Sequence, residues 1–452
     1  MNKEDIKRDL RAPLEAAEKI IVKSEELGHD LPLVVKKGED YWKTLGPGLT
    51  TGASDDDPAG IITYSQTGAR FGFQLLWLSI FTYPLMAIVQ EMCARIGLAT
   101  GRGLAGNIRL HFPKQITYVC AALLFGANAF NIGADLGAMV KAIQLLWPAA
   151  NFVVLIVGLT LLCLGLQIFT PYDRYARYLK WLALVLFAYV ASALVAHLNW
   201  GDILKHAVLP SVTFGKDQLL LIAAILGTTI SPYLFFWQTS QEVEDQIVRG
   251  NTTLALRRKA SAKDMRDMRV DVWSGMFLSN LVMFFIIAAC GALLFTHGIT
   301  NITSAAQAAE ALRPFAGDQT YLLFSIGIIG TGLLAIPVLA GSSSYAAAES
   351  FKWREGLYRK FRQAHAFYGI IIVSMLVGLA LNFVGLDPVQ ALIYSSVANA
   401  IVSPIVLALV VLISNNRHVM GKWVNKRYMT WLGWAVTGLM AVAGIGAIYA
   451  LF

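Results

Sequence analysis

Residues 46–60 read GPGLTTGASDDDPAG and lie inside an apolar segment that extends to about residue 69. Three consecutive carboxylates, Asp55, Asp56 and Asp57, stand at the middle of that segment, directly before Pro58. Ionised carboxylates are costly at the centre of a bilayer without a cation, and a proline removes a backbone donor and clashes with the preceding turn. The stretch therefore predicts a membrane helix that is broken at its middle, with a functional site at the break.

A similar interruption occurs in the second half of the chain, at residues 228–233. These residues read TTISPY and lie inside the apolar segment 218–239. Pro232 is expected to break this second helix and to free backbone carbonyl oxygens near the bilayer centre. Two broken helices in corresponding positions are typical of a secondary transporter whose substrate binds between them at the membrane midplane.

The composition places the whole chain in a membrane. Of its 452 residues 56% are hydrophobic and only 15% are charged, and the mean hydropathy is +0.57. Segments long enough to cross about 30 Å of hydrocarbon lie at 46–69, 74–97, 117–143, 152–170, 178–197, 218–239, 272–295, 320–348, 367–384, 389–413 and 430–451. We therefore predict an all-α integral membrane protein with eleven transmembrane helices, of which the first and the sixth are discontinuous.

Basic residues between the segments predict the orientation of the chain. Clusters of Lys and Arg occur at 102–114, 174–177, 249–269, 352–362 and 417–427, whereas the alternate loops hold only Arg70, Lys205, Lys216 and Arg313. Because basic loops stay in the cytoplasm, this asymmetry predicts a cytoplasmic amino terminus and an extracellular carboxyl terminus. The formal net charge of +8 is thus explained by topology, and no nucleic-acid partner is expected. The expected location is a bacterial plasma membrane.

The amino-terminal segment 1–44 is predicted to be cytoplasmic and amphipathic, since Leu10, Leu14 and Leu27 alternate with Lys and Glu. Residues 45–452 form the predicted transporter domain. Nothing in the sequence resembles an ATPase domain, a nucleophile-base pair or a histidine-rich metal motif, so neither an enzyme nor a cofactor is expected.

Two stretches carry a family resemblance: GPGLTTGASDDDPAGIITYSQTGARFGFQLLW from Gly46, and GIIGTGLLAIPVLAGSSSYAAAES in the eighth segment. They resemble the Nramp divalent-metal transporters, and the likeness covers about residues 45–413. The resemblance implies five spans repeated in inverted orientation, at about 45–200 and 215–413, an extra helix at 430–451, and a central metal site between the first and sixth spans.

Departures from the family's pattern indicate the substrate. Where typical members have Asp-Pro-Gly-Asn, this chain has Asp57-Pro58-Ala59-Gly60, and Ser231-Pro232-Tyr233 replaces Met-Pro-His. A thioether selects soft transition metals, so its loss leaves an oxygen-only site suited to magnesium, calcium or manganese. Magnesium keeps several waters and needs a wide pocket, which small residues would provide. This combination most resembles the Nramp-related magnesium transporters.

The predicted metal site consists of residues at the two breaks: Asp57, Gly60, Thr228, Ser231, Asp55 and Asp56. A second group is assigned to the ion path: Ala59, Tyr233, Asp135, Ser396, Asn399 and Glu91. For several of these the sequence leaves a structural role open. Glu91 is near a span end and suits an interface carboxylate, while Ser396 and Asn399 suit contacts between helices.

Proton coupling requires titratable groups inside the membrane, and few are present. All seven histidines lie in predicted loops or at span ends, and the family's second acid one turn after Asp135 is Ala138. We therefore predict uncoupled transport of Mg²⁺, and also Mn²⁺, driven by gradient and voltage. The expected partners are the transported cation and the lipid bilayer.

Two other transport functions remain open at this point. One is a proton-coupled manganese or iron carrier, which the incomplete proton relay disfavours. The other is a sodium-coupled amino-acid carrier of the same broken-helix architecture. Its substrate carboxylate would be repelled by Asp55, Asp56 and Asp57.

Overall fold

The computed structural model describes residues 33–195, 199–213, 215–302, 305–384 and 388–451. Within those ranges the regular structure is helical and contains no strand, which confirms the all-α class. The chain divides into two units, residues 1–45 and 46–452. Of the first unit only one helix is described, α1 (Leu33–Thr44). The predicted amphipathic positions at Leu10, Leu14 and Leu27 lie outside the described residues.

The helices of the second unit are, in chain order, α2 Pro47–Asp55, α3 Pro58–Phe71, α4 Trp77–Thr100, α5 Leu104–His111, α6 Lys114–Leu146, α7 Phe152–Phe169, α8 Tyr172–Leu182, α9 Phe187–Val195, α10 Trp200–Val208, α11 Lys216–Thr229, α12 Pro232–Val248, α13 Leu254–Arg257, α14 Ala262–Leu293, α15 Ala305–Phe351, α16 His365–Leu381, α17 Pro388–Ser414, α18 Arg417–Met420 and α19 Arg427–Leu451. Four short 3₁₀ helices, Ala183–Leu186, Phe295–His297, Phe361–Gln363 and Gly421–Trp423, join or extend them.

Within the described residues, each of the eleven apolar segments is mostly helical. By length and composition, seven described stretches can cross a membrane: Lys114–Leu146, Phe152–Phe169, Lys216–Val248, Ala262–His297, Tyr321–Phe351, Tyr394–Ser414 and Arg427–Tyr449. A shorter apolar helix covers His365–Leu381. The membrane class is thereby supported, whereas the count of eleven spans stays a prediction.

Both predicted breaks are present, and both are followed by a proline that begins the second half-helix. In the first span α2 ends at Asp55 and α3 begins at Pro58, with Asp57 in extended backbone at φ −65° and ψ 167°. In the sixth span α11 ends at Thr229 and α12 begins at Pro232. Because proline has no N–H, it suits the first position of a helix, where Pro58 and Pro232 stand. Other prolines, Pro84, Pro337 and Pro404, lie inside α4, α15 and α17.

Helix α14 packs along both halves of the first span at very short range. Gly48 and Gly52 of α2 face the backbone of α14 at Val272 and Gly275, and Gly68 of α3 faces the carbonyl of Ile287. Any Cβ at Gly48, Gly52 or Gly275 would overlap backbone atoms of the other helix. Small residues let membrane helices approach closely, so α14 serves as the support that holds α2 and α3 in line.

The start of α2 is capped from α14 rather than from its own sequence. Asp271 accepts hydrogen bonds from the backbone N–H groups of Gly46 at 2.7 Å, Gly48 at 2.6 Å and Leu49 at 3.0 Å. The first N–H groups of a helix have no partner inside it and attract negative charge. The carboxylate of Asp271 therefore fixes the end of α2 that lies farthest from the break.

Candidate functional site

Asp57 is held in place at the break of the first span. Its Oδ1 accepts a hydrogen bond from the backbone N–H of Gly60 at 2.7 Å, which makes Asp57 the N-cap of α3. Its Oδ2 accepts a second bond from Asn131 Nδ2 of α6 at 2.8 Å, and Ser395 of α17 donates to Asn131 Oδ1 at 2.9 Å. A carboxylate offers about four lone pairs. Asp57 is thus oriented by two donors and can still bind a cation.

Asp55 and Asp56 are buried beside Asp57 but are oriented differently. Asp55 accepts a hydrogen bond on Oδ2 from Ser279 of α14 at 2.7 Å, while its Oδ1 has no hydrogen-bond partner. Neither oxygen of Asp56 has a partner, and its side chain is 0% exposed. Buried carboxylate oxygens without donors are costly, so the pair requires a proton or a cation nearby.

The three aspartates do not converge on one point. Among the described residues, no group of three or more His, Cys, Asp or Glu side chains could hold a metal ion directly. Only Asp57 faces α6, through Asn131, whereas Asp55 faces α14, through Ser279. A cation at the breaks would therefore be bound by one or two carboxylates together with backbone oxygens or water.

At the break of the sixth span, hydroxyl groups hold the freed carbonyls. Ser231 donates its hydroxyl hydrogen to the carbonyl oxygens of Gly227 and Thr228, each at 2.6 Å. Ser403 of α17 donates to the carbonyl oxygen of Ile230 at 2.6 Å. Ser231 oxygen keeps its lone pairs in this arrangement, so Ser231, the residue directly before α12, remains a candidate ligand.

The two breaks approach each other at Gly60. A Cβ placed on Gly60 would lie 3.3 Å from Thr228 Oγ1, 3.1 Å from the carbonyl oxygen of Asp55 and 3.5 Å from Asp57 Oδ1. Asp57, Gly60 and Thr228 therefore lie together, and a side chain at position 60 would crowd oxygen atoms of both spans. Ser231 lies in the same break as Thr228, three residues later.

Three residues assigned to the ion path also lie near this centre. Tyr233 donates its hydroxyl to the carbonyl oxygen of Ser54 at 3.0 Å, which ties α12 to α2. Ala59 is 1% exposed and follows Pro58 in the first turn of α3. Asp135 is buried on α6, one helical turn after Asn131, and neither of its carboxylate oxygens has a hydrogen-bond partner. The i to i+4 spacing places Asp135 and Asn131 on the same face of α6.

The two residues of α17 lie beside the sixth span. Gly227 of α11 faces the backbone carbonyl of Ser396, which brings α11 and α17 into close contact. Asn399 is 3% exposed, and its Oδ1 has no hydrogen-bond partner.

Glu91 belongs to a separate ion-pair cluster. Its Oε1 lies 3.0 Å from Arg269 Nε and 3.6 Å from Arg95 Nη2, and its Oε2 accepts a hydrogen bond from Trp273 Nε1 at 2.9 Å. Arg269 precedes Ser279, the partner of Asp55, by ten positions on α14, which corresponds to about 15 Å along the helix at 1.5 Å per residue. The structure therefore places Glu91 in a buried ion pair remote from the breaks.

Sequence reasoning did not include Asn131, Ser279 and Ser395, which orient the aspartates. The sequence gives only a weak indication of their role, which is that all three are polar residues inside apolar segments. Polar side chains at membrane depth usually face the bundle interior. Which aspartate each one contacts depends on tertiary packing.

Comparison with known proteins agrees with this architecture. The sequence model of the Nramp family, described as natural resistance-associated macrophage protein-like, matches residues 48–450. The chain is 27% identical over 404 residues to the divalent metal cation transporter MntH of Klebsiella pneumoniae, covering 88% of this chain and 91% of that one. It is 25% identical to MntH of Deinococcus radiodurans over 405 residues, covering 87% and 86% respectively.

Solved structures share the fold. The manganese transporter of Eremococcus coleocola superposes with a TM-score of 0.71 at 18% identity, covering 93% of this chain and 89% of that one. Mhp1, a nucleobase-cation-symport-1 family transporter, superposes with a TM-score of 0.58 at 14% identity and covers 90% and 91%. Because the Nramp model spans nearly the whole second unit, the resemblance seen in the two broken spans is confirmed, and the chain belongs to the Nramp family of membrane transporters.

Proposed function

We propose that this protein transports divalent cations, with Mg²⁺ preferred and Mn²⁺ also accepted, by alternating access at a site between the broken first and sixth spans. The similar proteins of Klebsiella and Deinococcus are named divalent metal cation transporters, which supports the substrate class. The amino terminus is placed in the cytoplasm and the carboxyl terminus outside, as the basic loops indicate.

One observation carries the preference for Mg²⁺: the candidate ligands at the two breaks are oxygen atoms. Asp57 supplies a carboxylate, Thr228 and Ser231 supply hydroxyls, and the break at Ile230 exposes backbone carbonyls. Neither sulfur nor imidazole is a hydrogen-bond partner of these groups among the described residues. Oxygen ligands suit Mg²⁺ and Mn²⁺, whereas a thioether or imidazole would favour softer metals.

The arrangement of carboxylates at the first break supports binding of a partly hydrated ion. Mg²⁺ gives up its waters reluctantly and is usually bound through one or two carboxylates. Asp57 offers such a carboxylate, and Asp55 and Asp56 contribute negative charge from buried oxygens without hydrogen-bond partners. A single direct carboxylate is typical of Mg²⁺ sites in proteins, whereas a soft metal would find no sulfur or imidazole ligand among these groups.

Transport without proton coupling is supported by the absence of imidazole groups at the breaks among the described residues. The described histidines, His111, His206, His297, His365 and His418, lie at helix ends or in short helices outside the two breaks; His29 and His197 lie outside the described residues. Moving two charges across about 100 mV supplies about 4.6 kcal/mol, enough for more than a thousandfold concentration ratio. A coupling ion is therefore unnecessary.

A proton-coupled manganese carrier is the second candidate, and Asp135 is the observation that favours it. Asp135 is buried without hydrogen-bond partners and interacts electrostatically with Asp57. A carboxyl group in that position could exchange a proton when a cation binds at Asp57.

Reconstituted liposomes that enclose a pH dye and a magnesium indicator separate the two candidates. We expect Mg²⁺ uptake that rises with an inside-negative potential and moves no protons. The Asp135→Asn variant should then also show Mg²⁺ uptake without any change in the fluorescence of the pH dye. Proton influx that scales with metal uptake in the parent chain and disappears in Asp135→Asn would instead establish the coupled carrier.

A further inference from the structure

Helix α17 is linked by hydrogen bonds to both breaks. Its Ser395 donates to Asn131 Oδ1 at 2.9 Å, and the amide of Asn131 donates to Asp57 at the first-span break. Farther along α17, Ser403 donates to the carbonyl oxygen of Ile230 at the sixth-span break, at 2.6 Å. The two serines are eight positions apart on one helix, which is about 12 Å at 1.5 Å per residue. One helix thus holds a group at each break.

On the side of the sixth span, α17 packs directly against α11. A Cβ on Gly227 of α11 would overlap the backbone carbonyl oxygen of Ser396. Small residues allow helices in a membrane to approach this closely. The contact continues in a buried apolar cluster of α11, α17 and α19, formed by Ala223, Ala224, Val397 and Ala447. Helices α11 and α17 therefore form one packed unit.

On the side of the first span, the contact between α17 and Asp57 is made through the amide of Asn131. Asn131 and Ser395 are 2% and 1% exposed, so both hydrogen bonds are shielded from bulk water. An amide has an acceptor end and a donor end. Because Ser395 donates to Oδ1, the Nδ2 donor is the end that faces Asp57 Oδ2, at 2.8 Å. Ser395 thus determines which end of the amide the carboxylate meets.

Asn131 restricts the movement of the Asp57 carboxylate. The N–H of Gly60 holds Oδ1 at 2.7 Å, and that bond alone would let Oδ2 swing about Oδ1. The second bond, from Asn131, holds Oδ2 as well, so both oxygens are fixed before a cation arrives. A side chain that is already ordered loses less conformational freedom when a ligand binds. Asn131 can therefore raise the affinity for a cation through Asp57.

We propose that Asn131 is a positioning residue of the ion site and that, together with Ser395, it transmits the position of α17 to Asp57. The unit of α11 and α17 carries the sixth-span break directly, and the chain from Ser395 to Asp57 keeps the first-span break aligned with it. This inference rests on the proposed function, in which Asp57 binds the transported cation. Ser395 acts through Asn131, so loss of its hydroxyl is harmful only while the amide is present.

The variant Asn131→Leu removes the amide, keeps a branched side chain and tests the positioning role. We expect the KM for Mg²⁺ uptake into proteoliposomes to rise about threefold to tenfold, because one side chain must then be ordered on binding. A merely structural role would lower the maximal rate, through fewer folded transporters, and leave KM unchanged. Asn128→Leu is the matched control, since Asn128 is buried on the same helix but donates to α15. A KM that does not rise, or an equal rise in the control, would overturn the proposal.

Ser395 provides a second test that does not depend on the folding of Asn131→Leu. Ser395→Ala should raise KM, though by less than Asn131→Leu, and Ser395→Thr, which keeps the hydroxyl, should restore the parent value. The double variant should have the KM of Asn131→Leu alone, because residues that act through one contact are not additive. Ser374→Ala is the control, since the buried Ser374 hydroxyl donates within its own helix. Additive effects, or no rescue by Thr, contradict the relay through Asn131.

The same uptake assay separates this inference from the proposed function. If Asp57→Ala retains Mg²⁺ uptake, the ion site itself is misplaced. If Asp57→Ala abolishes uptake while Asn131→Leu and Ser395→Ala keep the KM of the parent, the ion site stands and the positioning role of Asn131 is wrong.

Discussion

Tyr233 donates its hydroxyl hydrogen to the carbonyl oxygen of Ser54 across 3.0 Å, so the first turn of α12 is tied to the last turn of α2. Both groups are buried. One bond thus connects the second half of the sixth span with the first half of the first span, directly beside both breaks. In alternating access the halves of these spans change their relative positions, and this bond must then break or move with them.

Tyr233→Phe should therefore change transport as well as stability. Leaving the Ser54 carbonyl without a donor costs about 1–3 kcal/mol, so we expect a lower unfolding temperature and an altered maximal rate of Mg²⁺ uptake. Thermal unfolding and initial uptake rates measure the two effects. Tyr175→Phe is the matched control, because the Tyr175 hydroxyl is buried without a hydrogen-bond partner. Identical uptake in both variants would show that the bond has no part in the cycle.

Asp57→Asn and Asp57→Ala separate the charge of Asp57 from its capping role. Asn can still accept the bond from Gly60 N–H, whereas Ala cannot, and loss of an N-cap costs about 1 kcal/mol. We expect both variants to lose Mg²⁺ uptake. Asp57→Ala should lose more stability than Asp57→Asn, because Asn loses only the bond from Asn131 and Ala loses both bonds. Uptake in proteoliposomes and thermal unfolding are the measurements, with Asp217→Ala at an exposed site as the control. Persistent Mg²⁺ uptake in Asp57→Asn would place the site elsewhere.

The positions of the breaks could be predicted from the sequence because proline and consecutive acids leave few alternatives inside an apolar segment. The partners of the three aspartates could not, since Asn131, Ser279 and Ser395 are far from them in sequence. The partners of Glu91 could not be predicted from the sequence either. Its polarity suggested either an interface or an ion path, and only the fold brings Arg269 and Trp273 to it. Local chemistry thus predicts where a helix ends, while side-chain pairing depends on which helices become neighbours.

Ser231→Met tests whether ligand softness sets selectivity. A thioether favours soft metals, so we expect the affinity for Cd²⁺ relative to Mg²⁺ to rise by about tenfold, which corresponds to 1.4 kcal/mol, and the affinity for Mn²⁺, which suits oxygen ligands, to rise less. Transport competition among the three ions measures the ratio. Ser231→Thr keeps the hydroxyl and is the control. Gly60 should stay unchanged in this test, because even a Cβ there would lie 3.1 Å from the Asp55 carbonyl oxygen.

An unchanged competition ratio in Ser231→Met would mean that the residue at 231 does not contact the ion. The hydroxyl would then serve only to hold the carbonyls of Gly227 and Thr228. Because Ser231→Met loses those two bonds, we expect it to have a lower unfolding temperature than Ser231→Thr, whether or not the competition ratio changes.

Glu91→Gln should act on stability and leave ion selectivity unaltered. Glu91 is buried with Arg95, and their side chains are 3% and 7% exposed, so removing the acid leaves Arg95 as an uncompensated buried charge. Breaking such a pair typically costs 3–5 kcal/mol.

Arg269→Gln is the matched comparison. The Arg269 side chain is 54% exposed, so we expect a loss of stability below about 1 kcal/mol. Denaturation of the purified variants and Mg²⁺ competition with Mn²⁺ provide the two readouts. A shifted competition ratio in Glu91→Gln at unchanged stability would instead assign Glu91 to the ion path.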